Sequence, residues 1–277
     1  MNAKRRIVDR AVTILAAGAL VVAVAPLASI IYFVAVNGAS AISWSFLTHD
    51  PAPPGVPGGG IANALQGTLL LIALASCVGL PAGLLSGVYV SEYGSSRYAQ
   101  VVRFLGDVLS GIPSIVTGIL VYLLIVIPLH HFSALAGGVA LGTIMIPIVS
   151  NTTSEALGLV PNSIREASTA LGIRKWRTSI LALSNAKAGV ATGVLLAIAR
   201  TTGETAPLLL TALGSTLGFA GLDQPVASMT VLIYDYATSP FKDWQAQAWG
   251  ASFLLLVVIL CINVAVRYMT RRRPLYA

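Results

Sequence analysis

The chain has 277 residues, of which 56% are hydrophobic and only 10% charged, with a net charge of +7. A soluble domain carries roughly 25% charged residues, so this composition excludes an ordinary globular enzyme. It defines an all-α integral membrane protein, long enough for about six transmembrane helices with short connections. The positive charge does not point to nucleic acid, because the basic residues sit beside hydrophobic runs and form no stripe with aromatics.

Lys4, Arg5 and Arg6 precede an apolar run that predicts a first span over about 12–36. The run resembles a signal peptide but continues past any small-residue cleavage site, so it reads as a retained anchor. Residues 37–60 include PAPPGVPGGG. That connection is too rich in helix breakers to be helical and is expected against the outer surface. The second span covers about 61–90, where Ala75, Gly79, Gly83 and Gly87 recur every fourth residue. Such a stripe lets another helix approach closely, while Pro81 is expected to kink the span. The loop 91–105 carries Glu92, Arg97 and Arg103, and the third span, about 106–129, contains Pro113. His130 and His131 follow in a turn. Adjacent side chains there do not face one point, so both are expected to be solvated. The fourth span, about 137–159, holds Pro147, with Glu155 near its inner end. Cys77 and Cys261 lie inside apolar runs, which predicts neither a disulfide nor a metal site.

The segment 160–188 is the most charged internal stretch. Ser163 can serve as an N-cap with Glu166 at the third helical position, a capping box. Gly172 can end that short helix in a left-handed conformation. A second helical piece is expected from Arg174, carrying Lys175, Trp176 and Arg177. The chain thus builds a compact basic helix–turn–helix between two spans. It reads either as a docking surface for a soluble partner or as a basic loop that only sets orientation.

The fifth span, about 189–213, holds Arg200 and Glu204. From 189, Arg200 lies roughly 16 Å along the helix at about 1.5 Å per residue, near the bilayer centre. Arginine there costs on the order of 3 kcal/mol, so it should face protein or a water-filled path. Spaced four apart, Arg200 and Glu204 share a helix face and can pair. They either line a translocation path or lock this helix to its neighbours. Residues 214–245 are mixed in polarity, and the apolar stretch 227–236 is too short to span. It either dips part-way in or lies on the surface. The sixth span, about 246–268, ends in Arg271, Arg272 and Arg273.

Placing the N-terminus inside puts 15 of the 17 basic residues on inner segments, leaving only Lys242 outside and Arg200 at membrane depth. The positive-inside rule therefore predicts six spans with both termini cytoplasmic.

The loop Glu166-Ala167-Ser168-Thr169-Ala170-Leu171-Gly172 resembles the Glu-Ala-Ala-x-x-x-Gly cytoplasmic loop of ABC-importer inner-membrane permeases, with Ser168 in place of the second alanine. The loop's tail, Ala182-Leu183-Ser184-Asn185, departs from that family's Ile-x-Leu-Pro. GGGI at 58–61, GT at 67–68, SEY at 91–93, GIPSIV at 111–116 and ARTTGETAPLL at 199–209 are similar to phosphate-importer permeases of the PstA type. SPF at 239–241, with Trp244 and Trp249, adds to that resemblance.

The resemblance implies an ABC type I importer permease fold in a bacterial inner membrane, with no cofactor of its own. It implies a second related permease completing the pore and an external phosphate-binding protein. It also implies two ATPase subunits docked on the coupling loop at Ser163, Arg165, Glu166, Ala167, Ser168 and Gly172. A GxxxxGK[ST] phosphate loop is absent, since no glycine precedes a lysine, so if transport is ATP-driven the ATPase is expected to be another chain. A permease for sulfate or molybdate remains the alternative cargo reading. A secondary transporter would need coupling-ion ligands and often shows internal repeats.

Overall fold

The computed structural model describes residues 3–56, 58–216 and 218–271, so Arg272 and Arg273 lie outside the described residues. Those residues contain helices and no strand. Helix α1 (Ala3–Gly38) leads through a single 3₁₀ turn to the short α2 (Trp44–Thr48). Helix α3 (Ala62–Glu92) is followed by α4 (Arg97–Gly111) and α5 (Ser114–Val121). A π-helical turn (Tyr122–Val126) joins α5 to α6 (Ile127–Leu129). Then come α7 (Ala134–Gly158), α8 (Asn162–Ala170), α9 (Lys175–Thr202), α10 (Ala206–Thr211), α11 (Met229–Ala237) and α12 (Lys242–Arg271). Among the described residues five helices are long and apolar enough to cross a membrane, and six crossings result if the bent pair α4/α5–α6 counts as one.

The centre of the fold is the α3–α7 pair, the most extensive helix contact in the molecule. The small-residue stripe makes it. A Cβ on Gly79 would lie 2.8 Å from the Met145 Cβ, one on Gly83 2.7 Å from the Val149 Cβ, and one on Gly87 2.6 Å from the Ser150 carbonyl oxygen. Gly142 of α7 returns the arrangement, facing the Ala75 carbonyl and Val78. In a bilayer the lipid is as apolar as leucine, so helix association depends on this close packing. Gly83→Leu is therefore expected to disrupt the pair, with overpacking costing about 1–3 kcal/mol or more. A fall in melting temperature or yield of the detergent-solubilised chain reads this out, and an unchanged melt would exclude the stripe as the central contact.

Around this pair, Leu71, Leu141, Met145, Val149, Ala197 and Leu208 join α3, α7, α9 and α10 in one buried cluster. Helix α1 packs along α12 while leaving most of its apolar surface open.

Several elements differ from the sequence expectation. The third span is not continuous. The axis turns by 104° between α4 and α5. Pro113 has no N–H to continue α4 and drives Ile112 into an extended conformation (φ −75°, ψ 128°). Pro81, by contrast, lies inside one helix, where the sequence placed it. The fifth span begins at Lys175, absorbing the second helical piece of the loop, and stops at Thr202. Residues 37–60 are partly helical after all: the 3₁₀ turn Ala39–Ala41 leads to α2, capped by Ser43, whose hydroxyl accepts the Phe46 N–H at 3.1 Å; Phe46 is buried. The apolar stretch 227–236 forms α11 and packs inward on α12 and α3, with Met229, Leu232 and Tyr236 buried.

Candidate functional site

Two regions attract attention: the loop around α8, and the paired breaks after α9 and before α5. At the loop, α7 ends at Gly158 and α8 starts directly after Pro161 (φ −56°, ψ 139°). The Pro161 carbonyl accepts the Ile164 N–H at 3.2 Å. Ser163 therefore sits inside the first turn, and its hydroxyl caps nothing. The expected Ser163–Glu166 capping box is corrected: the proline ring pre-sets the entry dihedral and the helix starts two residues earlier.

The other end follows the sequence reading. Gly172 is left-handed at φ +70°. Its N–H bonds the Thr169 carbonyl and the Ile173 N–H bonds the Ser168 carbonyl, both at 3.0 Å. This reciprocal pair is a Schellman stop.

Helix α8 has two faces. Ser163, Glu166, Ala167 and Ala170 are exposed, as is Gly172 beyond its end. Ile164 and Arg165 are half-buried and Ser168 is buried, its hydroxyl donating to the Ile164 carbonyl at 2.8 Å. Of the six residues read from the sequence, four lie on the open side and two, Arg165 and Ser168, point inward. Arg165 turns its guanidinium toward the bundle. Its Nε and Nη2 donate to Glu92 Oε1 at 3.1 and 2.8 Å, and its Nη1 and Nη2 donate to the carbonyls of Val160 and Leu157 at 2.9 and 3.0 Å. Lys175 and Arg177 lie over aromatic rings: Lys175 Nζ is 4.1 Å from the centre of Tyr93, and the Arg177 guanidinium 5.1 Å from Trp176.

The second region replaces the expected fifth span. Helix α9 closes with tight bonds from the Gly203 N–H to the Arg200 carbonyl (3.1 Å) and from the Glu204 N–H to the Thr201 carbonyl (3.2 Å). Glu204 lies beyond the helix end, so the four-residue spacing no longer places it on a shared face. No ion pair joins Arg200 and Glu204, which corrects the expected pairing. Arg200 is exposed and its guanidinium has no hydrogen-bond or ion-pair partner among the described residues. Glu204 is half-buried, and its backbone carbonyl accepts the Thr230 hydroxyl at 3.0 Å.

The chain restarts as α10 with Pro207 in its first turn. Gly118 of α5 faces it closely, since a Cβ there would lie 2.7 Å from Pro207 Cα. The two breaks, marked by Pro113 and Gly203, are thus packed together through α5 and α10. Gly118 was missed in the sequence because a single glycine one turn into a helix has no specific signature.

At the end of α3 away from α8, the remaining motifs close the bundle. The Thr68 hydroxyl accepts the Met229 N–H at 2.9 Å, and Gly67 lies against the Ala227 carbonyl. Gln247 Nε2 donates to the Gly58 carbonyl at 2.8 Å, and Trp244 stacks on Tyr236 with ring centres 4.4 Å apart. His131 is not simply solvated: its Nε2 is 3.5 Å from Asp223 Oδ2. Among the described residues no group of three or more His, Cys, Asp or Glu is placed to hold a metal ion.

This arrangement of helices is the ABC type I importer permease fold. A chain of the MetNI methionine ABC transporter, solved in inward-facing conformations, superposes with a TM-score of 0.60 over 76% of this chain and 96% of that one, at 17% identity. A second crystal form of MetNI gives 0.57 over 76% and 93%. The family described as binding-protein-dependent transport system inner membrane component matches residues 79–273, and the chain belongs to that family.

Its similarity to individual members is also high. The phosphate transport system permease protein PstA of Yersinia pestis is 42% identical over 88% of this chain and 83% of that protein. The PstA of Haemophilus influenzae is 43% identical over 86% and 85%. The PstA 1 of Mycobacterium tuberculosis is 37% identical over 99% and 92%.

Proposed function

We propose that this chain is the transmembrane permease subunit of an ATP-driven importer of inorganic phosphate. The observation that carries the reading is Arg200, an exposed guanidinium without a partner among the described residues, at a helix break of a membrane protein. Holding arginine at membrane depth costs on the order of 3 kcal/mol. A cost of that size is offset when the group meets water, protein or an anion. Guanidinium presents a fork of donors that matches a phosphate oxyanion. Glu204, close by in sequence and half-buried, is the second path residue; its negative charge keeps the path from trapping the anion. The names of the 37–43% identical relatives support phosphate over sulfate or molybdate.

In this reading a second related permease completes the pore against the face that carries Arg200. Two separate ATPase subunits dock on the open side of α8, at Ser163, Glu166, Ala167 and Gly172, and supply the ATP hydrolysis that this chain does not perform. An external phosphate-binding protein delivers the cargo. Uptake of labelled phosphate by cells lacking their own importer tests the function. Complementation by this chain with its partner subunits is expected, with excess sulfate and molybdate failing to compete; competition by either would transfer the assignment to that oxyanion.

The membrane is the bacterial inner membrane, with both termini cytoplasmic. Single cysteines introduced on a background lacking Cys77 and Cys261 test the orientation. A cysteine at position 55 is expected to react with an impermeant reagent from outside and one at position 175 is not. Labelling of position 175 from outside would overturn the topology.

A further inference from the structure

We propose that the Glu92–Arg165 ion pair is the joint through which movement of α8 passes into the membrane helices. The proposal rests on the coupling-loop reading above. Glu92 is the last residue of α3, and its side chain is 3% exposed against 24% for Arg165. One carboxylate oxygen takes two N–H groups of one guanidinium, and the same guanidinium reaches the Leu157 and Val160 carbonyls where α7 ends. One side chain of α8 is therefore bonded to the ends of both α3 and α7.

That bonding makes a stiff link. Separating the partners of a buried ion pair leaves an uncompensated charge and is strongly unfavourable. A shift of α8 is thus carried into α3 and α7 and not absorbed at their junction. The two helices move as one body, because Gly79, Gly83 and Gly87 leave no space between them. Helix α7 in turn packs on α5 and on α10, and α10 follows the break that begins just after Arg200. The exposed residues of α8 offer no such connection: Glu166 and Ala167 face away from the bundle. A docking role for Arg165 itself is disfavoured by geometry, since its donors are already turned inward.

Glu92 is accordingly a positioning residue, and its signature is the ratio of transport to hydrolysis. The test uses the whole complex, with ATPase and phosphate-binding protein, in proteoliposomes. Glu92→Gln keeps the shape and removes the charge. Phosphate carried per ATP hydrolysed is expected to fall about tenfold, within the range that changes in a coupling network produce. Arg165→Lys keeps the charge, loses the fork, and is expected to lower the ratio by a smaller factor. An unchanged ratio in Glu92→Gln would overturn the proposal. Should that variant fail to assemble, an unchanged ratio in Arg165→Lys would overturn it instead. Cross-linking from Ala167→Cys to the ATPase, on a background lacking Cys77 and Cys261, separates the two levels. A cross-link with an unchanged ratio removes the joint and leaves the coupling loop standing. No cross-link in the chain with native Glu92 removes both.

Discussion

Arg200→Gln is expected to cut phosphate uptake by roughly tenfold to hundredfold, because a hydrogen bond to a charged group contributes about 1.5–3 kcal/mol. Expression, membrane insertion and association with the ATPase should persist, since among the described residues Arg200 holds no partner whose loss would unfold the chain. The lack of an Arg200–Glu204 pair sharpens the experiment. A purely structural role through self-neutralisation would have required both charges on one face of α9, and Glu204 lies past its end. Arg200→Lys separates charge from geometry: it keeps the cation and loses the fork. A sharp fall in uptake in Arg200→Lys is the expected result for a group that handles an oxyanion. Near-normal uptake by Arg200→Gln, with Glu204→Gln beside it, would remove both residues from the path.

The second large effect belongs to Gly172. At φ +70° a residue with a Cβ is strained, and proline, locked near −65°, cannot adopt the conformation at all. Proline also removes the N–H that bonds the Thr169 carbonyl. Gly172→Pro is therefore expected to unwind the end of α8 while the long helices stay inserted. A frayed helix absorbs the motion it should transmit, so ATP hydrolysis should continue in the assembled complex while phosphate uptake falls by about tenfold or more, the loss of the two hydrogen bonds of the Schellman stop amounting to about 1–3 kcal/mol. Gly172→Ala keeps the N–H and takes only the strain, so its effect should be smaller. Normal uptake by Gly172→Pro at normal expression would exclude α8 as the lever. Because nothing lies within 4 Å of a Cβ built on Gly172, any effect of alanine there comes from backbone conformation and not from a clash.

Features that depend on local chemistry and on solvent are legible in the residues alone. The 56% hydrophobic content and long apolar runs required membrane helices. The four-residue recurrence of Ala75, Gly79, Gly83 and Gly87 marked the face on which a neighbour packs, because that spacing repeats along one side of a helix. Gly172 announced a helix stop because glycine alone occupies the left-handed region without cost. Features that depend on a partner distant in the chain emerge only when the helices pack. Which helix meets the glycine stripe is set by Met145, Val149 and Ser150, far along in sequence. That the chain turns by 104° after Pro113, with Gly118 packed on Pro207, while Pro81 stays inside one helix, emerges only in the fold. Arg165 read as one more surface charge in a basic loop. Only the approach of Glu92 and two freed carbonyls at the end of α7 turned it inward, since a guanidinium leaves water when fixed acceptors replace its hydration. The spacing of Arg200 and Glu204 promised a pair on a continuous helix, and the end of α9 at Thr202 separated them, because side-chain neighbours four apart exist only where the helix continues.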